Sequence, residues 1–401
     1  MRLPPGTGLR ALLFFLVASA FTTIYVPQPV LPVLRVQFGT SAAGASLAVS
    51  AVVLGIALAT VPFGILADRY PVRPILLSGG ALSVAAGLFC SWTESFPALV
   101  AARFLQGVAV PSLTSCLVVF LARSLPPDRL NLVLGSYVSA TVAGGLGGRL
   151  LGGWVHDPEH WRNAFVSSSL LVALAIAGAA RWLPKREEIP PGGPAAREGV
   201  LALLGRGEIA RTYLACFGAF FVFSSVFNYL PFHLSGPPFF ASTRRITALY
   251  LAYLVGIAVA PLSGRLSDRI GNGSTICAGA ALFALSVVAT LAPSQAVVFA
   301  ALAGACAGFF AVHAAAAGAL NRRLTSGRGR GNSLYVLFYY LGGSVGISAS
   351  GYAWRIGGWN GVAGLGVAVL LPVFAAGLAE RRAAPPGTGA TGTASSGTGR
   401  S

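Results

Sequence analysis

The sequence predicts an all-α membrane protein of about twelve spanning helices in two six-helix halves. Three observations predict it. Mean hydropathy is +0.74, with 55% hydrophobic and 10% charged residues, a composition that excludes a soluble globular domain. The apolar residues come in runs of about twenty, the length a helix needs to cross a bilayer. One short motif, Gly64-x-x-x-Asp68-Arg69, returns about 200 residues later as Gly264-x-x-x-Asp268-Arg269, each copy closing an apolar run.

The predicted spans lie near 10–34, 43–66, 73–93, 97–122, 131–153 and 162–183, then 211–234, 244–265, 274–292, 296–320, 332–354 and 359–379. The first run is too long for a signal-peptide core and reads as a retained helix. Residues 1–183 form the first half and 210–382 the second. Between them a polar linker, 184–209, carries Lys185, Arg186, Arg197, Arg206 and a Pro-Pro-Gly-Gly-Pro run, a flexible composition. A tail, 383–401, is rich in Pro, Gly, Thr and Ser and is expected to be disordered.

The net charge of +17 would suit nucleic acid, but its distribution excludes that reading: 21 of the 28 lysines and arginines fall in one alternating set of loops and tails. That is the positive-inside pattern, which places both termini in the cytoplasm of a multi-pass protein of the bacterial inner membrane. The five cysteines, Cys90, Cys116, Cys216, Cys277 and Cys306, all fall within spans without CxxC spacing. They read as packing residues, with no disulfide framework, metal site or cofactor expected.

An aspartate beside an arginine at a membrane edge can cap a neighbouring helix and pair with its charges, while the glycine lets helices approach. With Arg73, the repeated motif resembles the loop motif of the major facilitator superfamily, G-x-x-x-D-R-x-G-R-[RK]. The second copy keeps Gly271, whereas the first has Pro71 at that position. The resemblance implies the fold of that superfamily, a small-molecule solute as cargo, Asp68 and Asp268 as gating residues that meet the opposite half, and a monomer in the lipid bilayer. Gly107 and Gly308, and Asn131 and Asn332, add matches between the halves.

Span four contains Leu99-x-x-x-Arg103-x-x-Gln106-Gly107. An arginine there either faces a cavity or partner or snorkels to the interface. L-x-x-x-R-x-x-Q-G resembles the superfamily's fourth-helix motif, associated with coupling. In span five Gly135, Gly144, Gly148, Gly152 and Gly153 resemble the antiporter motif G-x8-G-x3-G-P-x2-GG, with Arg149 in place of proline. Arg149 stands about one turn from the span's end, near Asp157 and Glu159, where either an ion pair or a substrate contact would suit it. The stretches around Tyr25 and Gln28, Asn228 and Tyr229, His313, and Tyr335, Tyr339 and Tyr340 resemble the bacterial YnfM-like, or acriflavine-sensitivity, family. In that fold these residues, with Gln106, would line a central cavity.

None of the eleven acidic residues falls in mid-span. A neutral or anionic ligand suits such a cavity better than a bare cation, although aromatic faces also hold cations. His313 is the one histidine deep in a span, and its side chain titrates near neutrality. It reads either as a proton carrier, with Arg103 tuning it or holding substrate, or as a neutral histidine bonded to a carbonyl or tyrosine. The expected function is proton-exchanging export of a small amphipathic drug or metabolite. The alternative is a facilitator or importer of an organic anion on the same fold. No Walker loop, H-E-x-x-H site or membrane carboxylate dyad argues for an enzyme.

Overall fold

The computed structural model describes residues 6–124, 127–184, 200–324 and 328–383; much of the linker and the tail from residue 384 lie outside them. Every regular element among these residues is helical. Hydrocarbon dictates this, since backbone N–H and C=O groups there find no water and have to pair within their own segment.

The first half runs α1 (Gly6–Tyr25), α2 (Leu31–Gln37), α3 (Ala42–Arg69), α4 (Val72–Trp92), α5 (Phe96–Leu113), α6 (Ser115–Ser124), α7 (Pro127–Leu150) and α8 (Arg162–Trp182). A short helix, α9 (Val200–Gly205), follows within the linker. The second half runs α10 (Gly207–Ser235), α11 (Thr243–Leu249), α12 (Tyr253–Ile270), α13 (Asn272–Ala289), α14 (Gln295–Arg323) and α15 (Arg328–Ala383). Ten helical stretches among the described residues are long and apolar enough to cross a membrane. The last of them is two crossings, because α15 breaks at Gly357 and at Gly358, whose φ of +56° favours glycine. α7 completes the twelve; Arg149 and its glycines make it less apolar than the rest. The fold is therefore two six-helix halves, and α10 begins at Gly207, slightly before the expected linker end.

Loops alternate between two faces. The terminal face carries the turns after α3 and α12 and both ends of the described chain; the far face carries the breaks near residues 38–41, 156–161, 236–242 and 357–358. Side-chain caps start helices on the far face: Ser41 accepts from Gly44 N–H at 3.0 Å and Ser242 from Arg245 N–H at 3.4 Å. The two motif loops turn differently. Gly271 takes φ +84°, while Pro71 is extended, with φ −56° and ψ 133°. A proline cannot adopt the glycine's conformation, so the first copy turns through Tyr70 and Pro71 in extended form.

Close helix approach repeats from half to half. A Cβ at Gly144 or Gly148 would meet the carbonyl of Ala18 or Thr22, so α7 lies backbone to backbone on α1, and Gly152 just past α7 meets the carbonyl of Val26 just past α1 in the same way. A Cβ at Gly342 or Gly346 would likewise meet the carbonyl of Phe217 or Phe221, giving α15 and α10 the same relation. The buried apolar residues show how the halves meet. One continuous cluster joins the second half to far-face residues of the first, among them Val30, Leu34, Ala45, Val52 and Trp161. A separate cluster, with Leu16, Ala67, Leu76, Phe120 and Ala179, stays within the terminal-face part of the first half. The shared apolar core of the halves therefore reaches the far face, while near the terminal face Gly64 of α3 still comes within van der Waals reach of Ser333 of α15.

Candidate functional site

The glycine stripe of α7 brings the end of α1 against Arg149, and this contact builds the site. Arg149 is buried, with 1% of its surface exposed. Its Nε donates to Gln28 Oε1 at 2.6 Å, Nη1 to the Gly145 carbonyl at 2.7 Å, and Nη2 to the Tyr253 hydroxyl at 2.7 Å. The rings of Tyr25, Tyr253 and Tyr250 surround its guanidinium carbon at 4.0, 4.2 and 5.1 Å. The expected pairing with Asp157 or Glu159 is not formed. Asp157 instead caps the short turn at Glu159, accepting its backbone N–H at 3.1 Å. The reason is direction: Arg149 points along α7 into the interior, where Tyr253 of the second half meets it.

From Tyr253 an aromatic wall runs through the second half. Phe223 packs edge-on to Tyr253 at 5.3 Å and stacks on Phe309 at 4.0 Å. Phe309 stacks on His313 at 5.9 Å, and Tyr339 lies 5.1 Å from the same imidazole. His313 is half-buried. The Tyr335 hydroxyl lies 3.0 Å from His313 Nδ1 and 3.1 Å from the His313 carbonyl. A hydroxyl has one proton to donate, so a bond to the carbonyl makes Nδ1 the donor to the tyrosine oxygen. Phe220 stacks on Tyr339 at 3.8 Å, with Tyr340 edge-on to Tyr339 at 5.1 Å.

Arg103 belongs to a different place. It is fully buried, which removes the snorkelling alternative. Nε donates to the Ala48 carbonyl at 2.8 Å, Nη1 to the Thr23 carbonyl at 2.8 Å and Nη2 to the Ile24 carbonyl at 2.6 Å. Nη1 also donates to Gln106 Oε1, and Gln106 Nε2 donates to the Ser83 carbonyl at 3.3 Å. Thr23 and Ile24 end α1, where carbonyls lack helical partners, so a cation there is doubly favoured. Arg103 thus ties α1, α3 and α5 together, and its described bonds do not bring it to His313. Gln106 sits in the same clamp.

Of the other expected cavity residues, Tyr229 donates to the Ile347 carbonyl at 3.1 Å, a packing contact between α10 and α15. Asn228 is fully buried and both its carboxamide atoms lack a described partner. Gly135 lies outside the residues whose surroundings are described. A Cβ at Gly153 would strike Thr247 of the second half. In the loops Asp68 lies 3.5 Å from Arg123 and Asp268 3.5 Å from Arg322, each within its own half. Arg73 donates to the Ala180 carbonyl at 2.6 Å. No described bond carries Asp68 or Asp268 to the opposite half. Gly64, Arg69, Gly264 and Arg269 stand at the terminal-face ends of α3 and α12.

Tyr250, Tyr253, Phe220 and Phe223 are parts of this centre that no motif marked. A signal existed for the phenylalanines, since Phe220, Phe223 and Phe227 recur at helical spacing in α10. Tyr253 carries no comparable mark, being one tyrosine beside a helix break.

The arrangement is one buried cation, an imidazole and a continuous aromatic surface where two halves meet, and known proteins share its frame. A bacterial homologue of the human lysosomal transporter Spinster, solved inward-facing and unoccupied, superposes with a TM-score of 0.75 over 95% of this chain and 98% of that one, at 17% identity. The inner membrane transport protein YnfM of Escherichia coli is 27% identical across 88% of this chain and 86% of its own. The uncharacterized MFS-type transporter YybF of Bacillus subtilis is 26% identical across 90% and 91%. The family model of the Major Facilitator Superfamily matches residues 13–243 and 241–397. With more than half of its length matched, this chain belongs to the Major Facilitator Superfamily: it is a multi-pass membrane transporter.

Proposed function

We propose that the protein exports a small amphipathic solute from the bacterial cytoplasm by alternating access, in exchange for protons. The observation that carries this reading is the asymmetry of the contacts between the halves. Arg149 bonds Tyr253, Trp154 Nε1 donates to the Arg244 carbonyl at 2.7 Å, and Ser344 donates to the Ser50 carbonyl at 3.3 Å. All lie towards the far face, while the Asp68 and Asp268 loops pair within their own halves. A carrier that opens each side in turn needs one face latched while the other parts. With the basic loops in the cytoplasm, the terminal face, which carries none of these hydrogen bonds between the halves, is the cytoplasmic one. Asp68 and Asp268 then exchange their partners for the opposite half when that face closes.

The aromatic wall supports an amphipathic cargo, and His313 at its end is the imidazole assigned here to carry the proton between the two states. The test is solute flux in proteoliposomes under imposed pH gradients. A lumen more acidic than the bath should drive uphill accumulation in inverted vesicles as protons leave and solute enters, and His313→Gln should abolish the dependence on that gradient while leaving exchange measurable. Flux that ignores the gradient in the wild type overturns proton exchange and leaves a facilitator. Topology is read separately: a cysteine at Ser95 should label with an impermeant reagent in intact cells, and one at Ser395 should not.

A further inference from the structure

Arg149 has a chemistry that closing the far face does not use up. A guanidinium has five N–H donors, and three are bound, one on each nitrogen. One N–H on each terminal nitrogen is therefore outside these three bonds, with the Tyr25 hydroxyl a further neighbour of the guanidinium. All three acceptors are neutral, and no carboxylate is among the described partners. A cation buried in hydrocarbon is costly, and tyrosine faces offset only part of that cost. The site holds a charge that an incoming anion would balance.

Building on the transport reading above, we infer that Arg149 recognises the substrate, and that the substrate is an aromatic monocarboxylate. The planar fork matches a carboxylate in two parallel hydrogen bonds. One positive charge balances one negative charge; Arg103, the other buried arginine described, is committed to carbonyls of its own half. A dianion would carry unbalanced charge into the cavity. The aromatic body follows from the surroundings, because Tyr25, Tyr250 and Tyr253 flank the guanidinium and Phe223 and Phe309 continue the wall. Aromatic faces reward a flat apolar ring. Binding also has a consequence for the gate. The Tyr253 hydroxyl holds Arg149 from the opposite half, so a carboxylate that takes over the guanidinium competes with a bond that latches the far face.

The test is equilibrium binding of radiolabelled benzoate, benzamide and benzylamine to the full-length protein in nanodiscs. The three share a ring and differ in charge. Wild type should bind benzoate at least about tenfold more tightly than benzamide, with benzylamine weakest. Arg149→Gln should remove the preference, bringing benzoate down to about the level of benzamide. Arg149→Lys, which keeps the charge in case the glutamine variant fails to fold, should weaken benzoate several-fold and narrow its preference over benzamide. Equal binding of the three probes, no binding of benzoate, or unaltered benzoate binding in both variants overturns the assignment. Binding is measured without a gradient, so these outcomes are separate from failure of proton-driven flux.

Discussion

Two fully buried arginines, Arg103 and Arg149, carry the same charge in the same half and do different work. Arg103 is held by backbone carbonyls of α1 and α3 and by Gln106, all within one rigid body. Arg149 is held by two side chains and one carbonyl, and one of those side chains belongs to the other half. Backbone partners at a helix end cannot swing away without unwinding the helix. Side-chain partners across an interface can be exchanged when the halves rock. Burial of charge therefore does not distinguish a clamp from a switch; the ownership of the partners does.

The largest effect that would sharpen this contrast is expected at Arg103. Arg103→Ala should lower stability by about 3 kcal/mol or more, since three carbonyls and Gln106 lose their donor inside the bundle. Thermal unfolding in detergent reads it, and a variant as stable as wild type would make Arg103 a ligand-facing group. Next comes Gly148→Ala. Its methyl would meet the Thr22 carbonyl, a backbone atom that moves only if α1 and α7 separate, so a loss of about 1–3 kcal/mol is expected, together with reduced transport. Normal transport in that variant would show that Arg149 does not depend on the close α1–α7 contact.

A smaller change in stability, about 1 kcal/mol, is expected from Tyr253→Phe, which removes only a hydroxyl. Its effect on the gate should be larger: a cysteine at buried Thr247, in a background lacking the five native cysteines, should label several-fold faster in nanodiscs. Unchanged labelling would remove Tyr253 from the latch. The smallest stability effect belongs to Asp68→Asn. Its partner is Arg123 at 3.5 Å and its side chain is 70% exposed, so the pair is worth about 0–1 kcal/mol. Transport should slow nonetheless, because Asp68 is proposed to change partners when the terminal face closes. Wild-type turnover would end that role.

How much was legible in the sequence differs by residue. The repeated Gly64–Arg69 and Gly264–Arg269 segments fall at equivalent helix ends, because a polar turn between apolar runs can sit only at a membrane edge. Gly144, Gly148 and Gly152 face α1 in step, as four-residue spacing on one helix requires. Single matches between the halves say less about packing. Gly107 meets Val52 of α3, whereas its sequence counterpart Gly308 meets Gly279 and Phe283 of α13. In a chain with 51 glycines a single correspondence does not fix a packing partner. Asp157 and Glu159 looked close to Arg149 in sequence, but a side chain on a helix follows its rotamer and face, and that face turned inward.

The sequence by itself determined the class of fold, the number of crossings and the places where the chain turns. Each of these depends on local hydropathy and on charges that cannot rest in hydrocarbon. Only the tertiary structure decided which buried arginine is a clamp and which spans the halves. It also joined Tyr253 to Arg149 across 104 residues of chain and set His313 against Tyr335. Those outcomes depend on how two six-helix bodies dock, and no spacing along a single helix records which residues of the other body will face it.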